Sequence, residues 1–95
     1  MMYKVILLPR AEKQLRKIKE RELLIAFRQC VQEISIHPFQ KSKVGSLKGI
    51  FGHGFYYQGT RYRVAYSIDT RERVIYIVGL GSHERFWEEI KRYFD

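Results

Sequence analysis

The feature that most constrains this chain is a run of strict alternation followed, across one turn, by a nearly continuous apolar run. From Arg61 to Ile68, Tyr62, Val64, Tyr66 and Ile68 fall on one side, and Arg61, Arg63, Ala65 and Ser67 on the other. A period of two belongs to a strand with two unlike faces. Asp69 to Glu72 carries turn chemistry, and Val74 to Leu80 is apolar enough for a strand inside the sheet. The aromatic face of such a hairpin must be covered, and 95 residues leave one core to cover it with.

The preceding sequence supplies the cover. Tyr3 to Leu8 reads as a short strand bounded by Pro9, and proline suits the first turn of a helix. Ala11, Leu15 and Ile18 then fall at helical spacing with Lys13, Arg16 and Lys17 turned outward. Lys19 to Glu22 is expected to form a tight corner. A second helix carries Leu24, Phe27, Val31 and Ile34 on one stripe and stops before His37-Pro38. Two helices so close in sequence form an antiparallel pair whose seam lies on the sheet. Lys41 to Gly54, with Gly45, Gly49, Gly52 and Gly54, is expected to be a loop feeding a strand around Phe55 to Gln58. Phe86, Ile90 and Tyr93 or Phe94 mark a short closing helix. The expected order is β-αα-βββ-α, an α+β fold of two layers, with residues 1–95 as a single domain.

Charge bears on partners. The formal net charge is +8, and residues 1–48 hold eleven Lys and Arg against four Asp and Glu, while residues 49–95 hold seven against six. A polyanion, either nucleic acid or an acidic protein covering the same surface, is the expected partner. Cys30 is the one cysteine, so no internal disulfide can form and a reduced, cytoplasmic setting is expected. No signal sequence is recognisable, and no apolar run approaches the roughly 20 residues a bilayer span needs, so no membrane partner is expected.

The chemistry concentrates in the last third. Arg61 and Arg63 share the strand face opposite the aromatic one, beside small Ala65 and Ser67, and a guanidinium on a rigid strand suits a phosphate. A solvated face paired with acidic side chains is the plainer alternative. His83, after Gly79-Leu80-Gly81-Ser82, stands where a proton could pass to or from a ribose 2′-hydroxyl or a leaving 5′-oxygen. Equally, Ser82 could cap a helix with His83 exposed in its first turn. Trp87, four residues on, would share the helical face of His83, for stacking on a base or for packing on the sheet. Tyr56 and Tyr57 straddle the two faces of their strand. Lys48 is a mobile cation before the sheet. Three scattered histidines and one cysteine lack the spacing of metal ligands. Phosphodiester cleavage would therefore be metal-independent, with no cofactor.

Leu47-Lys48-Gly49 before the sheet, Tyr62-Arg63-Val64-Ala65-Tyr66, and the closing Gly81-Ser82-His83 with an aromatic four residues further resemble the RelE/ParE superfamily of bacterial toxins. The closing motif is most similar to the YafQ-like branch. The resemblance implies a RelE-like toxin of a type II toxin–antitoxin pair, an endoribonuclease that enters the ribosomal A site. There it would cut mRNA without metal, by attack of the 2′-oxygen on the adjacent phosphate. It implies an acidic cognate antitoxin, with ribosome and mRNA as further partners. It gives Arg63 the phosphate and His83 the proton, with Trp87 in the aromatic position. Lys48, Arg61, Tyr57 and Arg85 are candidate RNA contacts by neighbourhood. The chain departs from the pattern at Gly79, where the YafQ-like branch carries an arginine, and at Phe55, Tyr56 and Tyr57, where RelE has strand lysines. A ParE-type toxin that poisons DNA gyrase, giving His83 no particular role, or a degenerate antitoxin-binding module would share the same fold.

Overall fold

The computed structural model describes residues 2–40, 42–43, 48–82 and 84–94. Along them run β1 (Lys4–Leu7), α1 (Pro9–Arg16), α2 (Arg21–Ile36), a 3-10 turn (Pro38–Gln40), β2 (Ser42–Lys43), β3 (Ile50–Tyr57), β4 (Thr60–Asp69), β5 (Val74–Gly81) and α3 (Phe86–Tyr93). The expected order is present, with the short β2 added. One sheet has the order β1-β5-β4-β3-β2. β1 runs parallel to β5, Lys4 opposite Val74, and the other neighbours are antiparallel.

The helix pair covers the face bearing Val64 and Tyr66, with Ala11, Leu23, Phe27, Cys30 and Ile34 buried against Phe51, Ile75, Ile77 and Leu80. The inner stripe of α2 is thus Leu23, Phe27, Cys30 and Ile34, one position off the expected Leu24 and Val31, which are half-buried. Cys30 acts there as a small apolar residue. The helix also starts at Arg21, inside the expected corner. Phe27 packs edge-on to Phe55 and Tyr62, at centroid distances of 4.9 and 5.6 Å. Tyr66 is fully buried and its hydroxyl donates to the Pro38 carbonyl oxygen at 2.6 Å, which pins the 3-10 turn to the core. Burial raises the pKa of that phenol well above its usual value.

Two turns fix the registers. Gln58 and Gly59 both have positive φ, as a two-residue type I′ hairpin turn requires. At the other end Asp69 Oδ1 accepts from the backbone N–H groups of Arg71 and Glu72. β3 is longer than expected: it begins at Ile50, and Gly52 and Gly54 lie inside it. Gly54 has a steric reason, because a Cβ there would stand 2.5 Å from the Tyr62 carbonyl oxygen.

α3 takes the opposite face. Phe86 and Ile90 are buried with Ile50, Ala65 and Val78. The pairing slips from Ala65–Gly79 to Tyr66–Ile77, a bulge that turns both Val78 and Gly79 toward α3. Beyond the end of β1, the edge of β5 is finished by α1, where the Gln14 Oε1 accepts the Leu80 N–H at 2.8 Å. No described helix is long and apolar enough to cross a membrane.

Candidate functional site

α3 covers only part of its face, and the end of β4 that carries Arg61 and Arg63 stays accessible. Arg61 is exposed and Arg63 half-buried. The register places Arg63 between Gly54 of β3 and Gly81 of β5, so its two cross-strand neighbours have no side chain. Arg61 lies opposite Tyr56, with Cζ 5.2 Å from the ring centroid. The guanidinium of Arg61 also folds over Gly54, its Nη2 being 3.5 Å from where a Cβ would be. The missing side chain at Gly54 thus leaves room for the Arg61 guanidinium over the glycine that also flanks Arg63. Tyr56 is 70% exposed on the same side of the sheet. Two forked cations on a rigid strand, with no carboxylate at the paired positions, make an arrangement suited to a phosphate.

The remaining sequence candidates divide. The chain leaves β5 at Gly81, beside Arg63, and Arg85 stands exposed on that connection with Nε 3.9 Å from Glu88 Oε2. His83 lies outside the described residues, as does Leu47. α3 begins at Phe86 with Arg85 at its N-cap, so Ser82 does not cap it, and the face expected to be shared by His83 and Trp87 falls outside the described residues on the His83 side. Trp87 is instead half-buried, edge-on to Phe86 at 4.8 Å and packed on the cluster beneath α3. Its indole thus packs at the edge of that cluster instead of standing as an open ring.

Two candidates are separated from the arginines. Tyr57 lies on the helix-pair face, edge-on to Tyr62 at 6.3 Å. A hydrogen bond to the Glu20 carboxylate raises its phenol pKa. Alternation puts Tyr56, not Tyr57, beside Arg61. Lys48 is exposed before Ile50, which pairs with Ser67. It therefore sits beyond the far end of β4, at least about 13 Å along the strand from Arg63 at some 3.4 Å per residue. Reading Gln58-Gly59 as a two-residue turn would have found the Tyr56–Arg61 pairing from sequence, since it forces that register. His53 bonds Glu33 of α2, Nε2 to Oε1 at 2.9 Å, on the helix-pair side.

Gly79 has a physical explanation. The direction its Cβ would take is filled by Ile90 Cδ1 at 2.7 Å and Gln14 Oε1 at 3.4 Å, which leaves no room for an arginine. A different cation is close by: Arg10 Nε is 3.8 Å from the same point. Arg10 bonds Glu89 at 3.2 Å and lies 5.7 Å from the ring centroid of Tyr93, on a cavity of about 340 Å³ lined also by Arg92. Sequence reasoning missed this α1–α3 contact, for which the chain carries no local signal. Among the described residues, no three His, Cys, Asp or Glu side chains come together as metal ligands would.

Comparison with known proteins adds the following. Residues 5–91 match the family model described as ParE-like toxin of type II bacterial toxin–antitoxin systems. No curated protein matches the sequence significantly. Among solved structures, a double mutant of the Escherichia coli toxin RelE in the free state is similar with a TM-score of 0.75 at 20% identity, covering 97% of this chain and 98% of that one. The toxin–antitoxin complex RelBE of E. coli gives 0.72 at 19%, covering 87% and 99%. The complex RelBE2 of Mycobacterium tuberculosis gives 0.67 at 25%, covering 87% and 100%. These likenesses speak to the fold, which is that of the RelE toxins.

Proposed function

The chain belongs to the ParE-like toxin family of type II bacterial toxin–antitoxin systems, and from that premise we propose that it is a ribosome-dependent endoribonuclease held in check by an acidic antitoxin. The observation that carries this reading is Arg63 set between Gly54 and Gly81 with Arg61 folded toward it. A cation on a side-chain-free floor lets an RNA backbone approach closely. In the proposed step the ribose 2′-oxygen attacks the adjacent phosphorus, its proton passes to a base, and the 5′-oxygen leaves with a proton from an acid. Arg63 meets the charge that grows on the phosphoryl oxygens, which is where a fixed guanidinium lowers a barrier most. Arg61 and Arg85 hold the flanking phosphates. His83, two residues beyond the Arg63-paired Gly81, exchanges the proton. Trp87 shapes the wall, and Lys48 and Tyr57 have no part in this step.

A second reading is favoured by the description of the matching family: a ParE-type toxin that binds and poisons DNA gyrase. One experiment separates the two. The chain is induced without antitoxin, and new mRNA 5′ ends are mapped on translated and untranslated copies of one message. Cuts confined to translated codons and lost in Arg63→Ala support the nuclease. Growth arrest with a DNA-damage response and no such cuts refutes it in favour of gyrase.

A further inference from the structure

Beside the two arginines is an aromatic ring that the proposed cleavage does not use. Tyr56 is 70% exposed, the most exposed of the large hydrophobic side chains described. This tyrosine stands opposite Arg61, whose guanidinium Cζ lies 5.2 Å from its ring centroid. The ring is therefore held from one side by a cation and left open to solvent over most of its surface. Along β3 the next residue on the same face is Gly54, and the space its missing side chain leaves is taken by the Arg61 guanidinium, which lies between Tyr56 and Arg63. Tyr56 and Arg63 are diagonal neighbours across the β3–β4 pair, about 7–8 Å apart on one face, near the step between neighbouring nucleotides in an extended single strand.

We propose that Tyr56, braced by Arg61, is the platform on which a base of the bound RNA stacks, next to the nucleotide whose phosphate lies at Arg63. The assignment rests on the RNA-cleaving reading above and adds the residue that orients the substrate. Arg61 serves twice, as a phosphate cation and as a brace that fixes the tyrosine ring before RNA arrives. Because every base has a π-face, the platform tolerates any sequence, but it favours purines, whose larger rings cover more of the phenol.

The test uses the free wild-type chain and 2′-O-methyl RNA hexamers, which lack the attacking hydroxyl and so are bound but not cut. Fluorescence anisotropy at low salt is read for an all-adenine strand, an all-uracil strand and an adenine strand with abasic positions. Tyr56→Ala is expected to weaken adenine binding about tenfold or more, and Tyr56→Phe to stay within about twofold of wild type. The salt dependence separates stacking from charge. Tyr56→Ala leaves the slope of log K against log salt unchanged, whereas Arg63→Gln reduces it by about 0.7. On the abasic strand the difference between wild type and Tyr56→Ala disappears. Equal binding of adenine strands by wild type and Tyr56→Ala overturns the inference and leaves the nuclease reading standing. So does a Tyr56→Phe loss as large as that of alanine, which would mean a hydroxyl contact instead of stacking. A folded wild-type chain that binds no hexamer overturns the inference, whereas the ribosome-dependent nuclease reading is decided separately by the mapping of mRNA 5′ ends.

Discussion

Adding a single methyl group at Gly54 tests both the architecture of the sheet and the origin of the arginine recess. Gly54→Ala puts a Cβ 2.5 Å from the Tyr62 carbonyl oxygen, a backbone atom of the neighbouring strand. Carbon and carbonyl oxygen in sheets sit no closer than about 3.3 Å, so the strands must part locally by roughly 0.8 Å. Parting them weakens one or two ladder hydrogen bonds at about 1 kcal/mol each. Overpacking adds about 1–3 kcal/mol, while the reduced freedom of the unfolded alanine chain returns about 0.4–1 kcal/mol. The net loss is about 1–5 kcal/mol, and at the middle of that range, about 3 kcal/mol, Tm falls by about 12–24 °C for a domain of this size. Gly79→Ala is the control, because its Cβ meets Ile90 Cδ1, at 2.7 Å, the movable end of a side chain. There a rotamer change absorbs most of the clash, and a loss of about 1 kcal/mol is expected. Urea unfolding and thermal melts of both variants read the difference. A Gly54→Ala chain as stable as Gly79→Ala, or more stable than wild type, would refute the steric reasoning and leave only backbone entropy.

Other expectations follow from named contacts. Arg63→Gln should cost about 10²–10³ in cleavage rate with little change in Tm, measured by single-turnover cutting on programmed ribosomes. If His83 transfers the proton, His83→Ala should lower the single-turnover cleavage rate about 10²–10⁴-fold, and an unchanged rate would remove it from that role. Tyr66→Phe leaves the Pro38 carbonyl without its 2.6 Å donor and should cost about 1–3 kcal/mol in urea melts at neutral pH. The raised pKa of Tyr66 gives this gap a pH dependence. Above about pH 10 the unfolded chain loses the phenolic proton while the folded one keeps it, so wild-type stability falls and the two curves converge. Gln14→Ala orphans the Leu80 N–H and should cost about 1–2 kcal/mol, whereas Gln14→Glu, which keeps an acceptor, should cost less.

Those parts of the fold encoded by local period were legible before any coordinates. The β4–β5 hairpin, both helices and α3 each announce themselves by spacing, and the observed elements lie within a few residues of the expected ones. β3 was not legible in full, because Gly52 and Gly54 look like loop residues when the reason for them is a neighbouring carbonyl on another strand. The inner stripe of α2 shifted because Leu23-Leu24 and Cys30-Val31 are adjacent apolar pairs, and helical spacing alone does not choose between their members. In the candidate site, the shared face of Arg61 and Arg63 follows from alternation alone. What alternation cannot supply is register. Register sets Lys48 well along the strand from Arg63, puts Tyr56 and not Tyr57 on the face of the arginines, and places glycines on both flanks of Arg63. The filling of the space above Gly79 from α1 and α3 is a long-range event with no signature in the neighbouring sequence.

The pairing of Lys4 with Val74 has a consequence for the order in which this chain can finish itself. β1 is synthesised first, yet its only strand partner is the last strand made, and β5 also supplies one flank of Arg63. Until residues 74–81 have left the exit tunnel of the translating ribosome, neither the parallel pair nor the recess exists. The nascent chain is thus obliged to remain incomplete until β5 has been made. Long-range closure of this kind is slow compared with helix formation. For a protein read here as an attacker of translation, late closure is a built-in delay between making the chain and arming it.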